Sequence, residues 1–89
     1  MANHASAKKR IRQTEKRTAH NRHIRSTVRT AIKVARTAVD NGDENAAAAV
    51  RRAEVLIRKA MSKGIYHPRA GSRYISRLAL HAGHAANAA

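Results

Sequence analysis

Eleven of the nineteen Lys and Arg side chains fall within the first 36 residues, against a single carboxylate, Glu15. Lys8, Lys9, Arg10, Arg12, Lys16 and Arg17 form the densest group, and Arg22, Arg25, Arg29, Lys33 and Arg36 follow at helical spacing. Cations in such excess suit phosphate. Each neutralised phosphate releases condensed counterions, and a guanidinium group can grip two phosphate oxygens at once. Thr14, Thr18, Asn21, Ser26, Thr27 and Thr30 stand between the cations as short hydrogen-bonding side chains suited to phosphate and ribose 2′-hydroxyl groups. A smaller set, His67, Arg69, Ser72, Arg73, Ser76 and Arg77, repeats the pattern near the C-terminal end.

Other chemistry has little to stand on. His20 and His23, like His81 and His84, are three residues apart and could face one metal ion from a helix, yet neither pair has a Cys or a well-placed carboxylate to complete a ligand set. No Cys is present for thiol catalysis or disulfides, and the four Gly residues are too scattered for a phosphate-cradling loop. The five acids have structural readings: Glu54 four before Arg58, Asp40 four after Arg36, and Asp43 with Glu44 at the start of a helix. We therefore expect no enzyme activity, cofactor, metal or small-molecule substrate.

The elements that carry these residues should be helices. Ala, Arg, Lys and Glu dominate, and no stretch alternates apolar and polar over the length of a strand. Three segments are predicted, all within one domain spanning 1–89: about 6–39 with Ser6 as N-cap, about 43–63 with Asp43 as N-cap, and about 68–82 opened by Pro68. Gly42 and Gly64 would terminate the first two, and Gly71 and Gly83 would weaken the ends of the third. Short connections make an antiparallel three-helix bundle the simplest packing. Its apolar stripes are Ile24, Val28, Ala31, Ile32, Ala35 and Val39; then Ala46, Val50, Ala53, Ile57, Ala60 and Met61; then Ile75, Leu78, Ala79 and Ala82. Tyr66 should pack at the second connection with its hydroxyl toward water or phosphate.

Helix one divides in two. From Ile24 to Val39 the apolar residues fill a sector about 100° wide, and Arg22, Arg25, Arg29, Lys33 and Arg36 fill another about 80° wide beside it. Reversing Arg25 and Arg29 to Glu is accordingly expected to weaken ligand binding and leave helicity largely intact. Before residue 21 the cations point in nearly every direction, and Ile11 is the only large aliphatic side chain. This half should project beyond the bundle as a lone helix and fray when unbound.

Composition agrees with a polyanion partner. The chain has 89 residues, a formal charge of +14 and a pI near 11.8. Twenty of its apolar residues are Ala and only fourteen are Ile, Val or Leu, with no Phe or Trp, so its core must be thin and stability is expected to come partly from the ligand. A helix basic on all sides fits a cleft in folded RNA better than one side of a straight duplex. A nucleoid-type protein that coats DNA without sequence choice is the competing reading. It is disfavoured by the lack of a recognition-helix pair and of a wedge residue for bending DNA. Residues 7–20 offer no Leu, Phe or Trp face for a membrane surface, no apolar run approaches the length of a span, and the start Met1-Ala2-Asn3-His4 lacks a signal-peptide stretch. A cytoplasmic location is expected.

Asn3-His4-Ala5-Ser6-Ala7-Lys8-Lys9-Arg10-Ile11-Arg12-Gln13-Thr14-Glu15-Lys16-Arg17, then Asn21-Arg22, Arg25-Ser26, Arg29-Thr30, Gly42-Asp43, Lys59-Ala60, Lys63-Gly64, His67, Ser72-Arg73 and Ser76-Arg77-Leu78 carry a likeness in type and spacing. Together they resemble the bacterial small-subunit ribosomal protein S-twenty family, from residue 2 to about residue 80. The resemblance implies a three-helix bundle that binds 16S ribosomal RNA directly, with its long first helix embedded in RNA. It further implies other small-subunit ribosomal components as neighbours, and no membrane or second copy of the chain as partner. Under it, Lys8, Lys9, Arg10, Arg12, Lys16, Arg17, Asn21, Arg22, Arg25, Ser26, Arg29, Thr30, Lys33, His67, Arg69, Ser72, Arg73, Ser76 and Arg77 become the RNA-binding positions. The chain departs from the family pattern at Pro68-Arg69-Ala70-Gly71, at Tyr74 where Lys is common, and in the Lys- and Arg-poor tail Leu80-His81-Ala82-Gly83-His84.

Overall fold

The computed structural model describes residues 4–88, with side-chain surroundings through residue 83. Three helices account for nearly all of it: α1 (Ala5–Asp40), α2 (Ala46–Ser62) and α3 (Pro68–Ala88). Val28 of α1 meets Ile57 and Ala60 of α2 in one buried cluster, with Ile75 of α3 packed against it. Ala35 meets Ala53 and Leu78 in the next. Rising along α1 thus means descending α2 and rising along α3, which is the up-down-up bundle expected from the stripes. Ile32 touches both clusters and joins them.

Both chain reversals use the same backbone device. Gly42 (φ 65°) follows α1, where its N–H donates to the Val39 carbonyl and the Asp43 N–H donates to the Ala38 carbonyl. Gly64 (φ 76°) follows α2, where its N–H donates to the Met61 carbonyl and the Ile65 N–H to the Ala60 carbonyl. These paired bonds satisfy carbonyls that the helix end leaves without partners, and the positive φ is cheap only for Gly. At the second turn the hydrophobic contact typical of this motif is also made, because Ile65 and Ala60 share the core.

The helix boundaries differ from the expected ones for local reasons. α1 begins at Ala5, with His4 extended (φ −72°, ψ 136°) and its carbonyl accepting the Lys8 N–H, so Ser6 sits inside the first turn and is not the cap. α2 begins at Ala46 rather than at 43, because the Asp43 N–H is committed backward to Ala38 and Asp43 Oδ1 accepts the Asn45 N–H at 3.0 Å. α3 continues past 82 to Ala88, through Gly83. A single helical Gly costs roughly 1 kcal/mol relative to Ala, which the surrounding alanines offset. Ala79, expected on the α3 stripe, is exposed; Gly71 is buried instead, so close to Met61 that an added Cβ would collide with Met61 Sδ and Cγ.

The molecule measures 64 × 21 × 15 Å, and its radius of gyration of 17.7 Å exceeds the roughly 12 Å of a compact chain of this length. The excess comes from α1. Every residue from Lys8 to His20 is exposed, and the first buried side chain of α1 is Val28. The N-terminal turns therefore extend beyond the core, as the loss of an apolar stripe before residue 21 predicts.

Candidate nucleic-acid interface

Lys8, Lys9, Arg10, Arg12, Lys16 and Arg17 occupy the extended turns of α1 and are all exposed. At 3.6 residues per turn they fill an arc of about 200° and not every direction as expected, the remaining side carrying Ile11, Thr14, Glu15 and Thr18. Among the described residues no Lys or Arg lies within ion-pair distance of a carboxylate. The expected Glu54–Arg58 and Arg36–Asp40 pairs are not made: Asp40 Oδ1 instead meets His81 Nε2 at 2.8 Å. This positive charge is thus left unneutralised by the protein itself.

Alongside the bundle the cations separate into a flank. Arg25, Arg29 and Arg36 of α1 line a groove of about 350 Å³ with Arg77 of α3, together with Tyr66, Tyr74, Ile32 and Leu78. Arg25 Nη2 donates to the Ile65 carbonyl at 3.3 Å and so ties α1 to the second turn. Arg25 lies off the apolar sector, as expected, and also ties into the fold through this bond. Asn21 is half-buried where the bundle begins, and with Arg22, Arg25, Ser26 and Arg29 it lines an adjoining hollow of about 500 Å³. Lys33 is exposed one turn beyond Arg29.

Thr30 departs from that flank. It lies with His23, Ser26, Thr27 and Val34 in a groove of about 620 Å³ against α2, whose only ionisable residues are His23 and Arg52. This larger groove is poorly suited to phosphates. Thr27 Oγ1 donates to the His23 carbonyl at 3.0 Å, and Thr14 Oγ1 to the Arg10 carbonyl at 2.9 Å. Each hydroxyl thus donates within its own helix and has to give up that bond to donate to a phosphate, whereas it can accept from a 2′-hydroxyl as it stands.

On α3 the basic side is less unified. His67 Nδ1 accepts the Arg69 N–H at 3.1 Å, so the ring caps the helix and leaves Nε2 as its donor. Its place directly before the helix-opening Pro68 is a helix-entry position by sequence, although His is not among the usual cap residues. Arg69, Ser72, Arg73, Ser76 and Arg77 are all exposed, but only Arg77 reaches the α1 groove. At 3.6 residues per turn Ser72 lies roughly 140° and Ser76 roughly 100° around the helix from Arg77. Tyr66 turns its ring onto Tyr74, centroids 5.7 Å apart at 79°, a pairing no spacing rule foretold.

Exposed cations at this density suit a polyanion. Among the described residues no three metal-ligating side chains converge, and the His84 side chain, offered as a partner for His81, lies outside them, as does Asn3 of the N-terminal motif. No helix among the described residues is long and apolar enough to cross a membrane. A family model described as ribosomal protein S20 matches residues 2–82.

The chain belongs to the ribosomal protein S20 family.

Relatives bear the same mark. The small ribosomal subunit protein bS20 of Geotalea daltonii is 54% identical over 79 residues, covering 88% of this chain and 91% of its own. Those of Anaeromyxobacter sp. strain Fw109-5 and Syntrophus aciditrophicus are 52% and 51% identical, covering 89% and 88% of this chain and 89% of each relative. The S20 match, over residues 2–82, spans the extended part of α1, both glycine turns and the residues that line the α1–α3 groove.

Proposed function

We propose that this chain is a structural constituent of the small ribosomal subunit, working in the cytoplasm as one RNA-binding unit over residues 1–89, and that it binds 16S ribosomal RNA directly. The observation that carries this reading is a stretch of α1 with no buried side chain and six exposed cations spread over more than half of its circumference. Such a helix gains nothing from its own protein and would gain from phosphates on several sides at once, which folded RNA supplies. The bundle then acts as the rigid part that sets the helix direction, while Arg22, Arg25, Arg29, Lys33 and Arg77 hold a second phosphate-bearing segment along its flank. Membership of the S20 family and the names of its relatives support the same reading.

The test is equilibrium binding of the full chain to folded 16S ribosomal RNA and to duplex DNA, at salt concentrations up to about 0.3 M. RNA binding should outlast DNA binding by more than about tenfold at the higher salt, because shape-dependent contacts persist when counterion release weakens. Equal loss with the same slope would favour the nucleoid-type DNA reading and overturn this one.

A further inference from the structure

The α1–α3 groove holds an arrangement that phosphate binding alone does not require. Four guanidinium groups, from Arg25, Arg29, Arg36 and Arg77, surround about 350 Å³, and no carboxylate lines it. The same space is lined by both tyrosines of the chain. Their edge-to-face contact leaves at least three of the four ring faces uncovered by the other ring, and Tyr74 is 38% exposed. An aromatic face beside unpaired arginines is the combination that holds an unstacked nucleotide: the ring takes the base and the cations take its phosphate. The volume is at the small end of ligand pockets and too narrow for a duplex.

We propose that this groove is a binding site for a single unstacked nucleotide of RNA, with the base against Tyr74 and its phosphate between Arg29, Arg36 and Arg77. The bond from Arg25 to the Ile65 carbonyl holds one wall in place before the ligand arrives. The proposal builds on the RNA-binding reading above, but its test does not depend on ribosomal RNA.

The chain has two tyrosines and no Trp, so its intrinsic emission reports on this groove alone. The full chain would be titrated with a single-stranded oligoadenylate, with duplex RNA of equal length and with inorganic polyphosphate. Oligoadenylate should quench the tyrosine emission well beyond the other two. Tyr74→Leu should remove the extra quenching and weaken oligoadenylate binding roughly 5- to 150-fold, as expected for loss of one base–aromatic stack, with the salt slope unchanged. Tyr74→Phe should bind within about twofold of the parent, since the ring face is kept. Equal quenching by polyphosphate, or parental affinity in Tyr74→Leu, would overturn the site. Specific quenching by oligoadenylate in a chain that shows no preference for 16S ribosomal RNA would uphold the site and reject the ribosomal reading.

Discussion

His81 Nε2 lies 2.8 Å from Asp40 Oδ1, so α3 is pinned to the last residue of α1. Asp40 is four residues from Arg36, where a helical ion pair is ordinarily expected, and the contact with His81 takes that carboxylate away. Arg36 lines the α1–α3 groove without that carboxylate as a partner.

Because both side chains are partly exposed, 35% for His81 and 62% for Asp40, this contact adds little to stability. Asp40→Asn should lower the unfolding free energy by no more than about 1 kcal/mol, the range of surface pairs. Urea denaturation followed by circular dichroism measures it. A loss above roughly 2 kcal/mol would mean that the contact organises more of the helix pairing than its exposure implies.

Replacing Lys8, Lys9, Arg10, Arg12, Lys16 and Arg17 together by Gln removes no buried atom, since each is exposed. The thermal midpoint of the bundle should stay within a few degrees. Affinity for 16S ribosomal RNA should fall steeply, and the slope of log affinity against log salt should shrink by about 4 to 5 if all six contact phosphates. An unchanged slope would show that the extended turns lie outside the contact surface.

Arg25 and Arg29 are neighbours in the groove with different duties. Arg29→Met should cost RNA affinity and leave stability unchanged. Arg25→Met should cost similar affinity and also about 0.5–1 kcal/mol of stability, the worth of one long hydrogen bond to a carbonyl. Comparing urea midpoints of the two variants separates the roles, and equal midpoints would discount the bond to Ile65.

Gly71 and Gly83 both sit within α3 but should respond in opposite directions to Ala. At Gly83 nothing stands within 4 Å of the new methyl group, so helix propensity alone acts and stability should rise by about 0.5–1 kcal/mol. At Gly71 the same gain competes with the collision against Met61. Overpacking costs of about 1–3 kcal/mol leave a net loss of up to about 2. Adding Met61→Ala to Gly71→Ala should change that loss non-additively, a coupling readable from a double-mutant cycle.

Much of this architecture was legible in the chain, and the exceptions have physical causes. The three stripes, Ala79 apart, and the loss of an apolar face before residue 21 follow from side-chain periodicity, and the two reversals from the placement of Gly42 and Gly64. Asp43 misleads because its carboxylate does cap, but it caps the turn at Asn45, while its N–H closes the end of α1. Ile65 looks like a loop residue until the turn motif of Gly64 is drawn, whereupon its burial follows. Of the candidate site, the exposed cations could be read directly. The gathering of Arg25, Arg29, Arg36, Arg77 and the two tyrosines could not, because it depends on the register between α1 and α3.

Ala35, Ala53 and Ala60 are each wholly inaccessible to solvent, and this gives the bundle a one-sided tolerance to change. At most core positions the common injury is a cavity left by a smaller residue; here only a methyl group is available to lose. Larger residues at these three positions would instead have to wedge the helices apart. Widening the bundle would also shift α3 relative to α1, so a mutation hidden from any ligand could misalign the arginines on either side of the groove. Drift at buried alanines is thereby constrained by what the surface must hold.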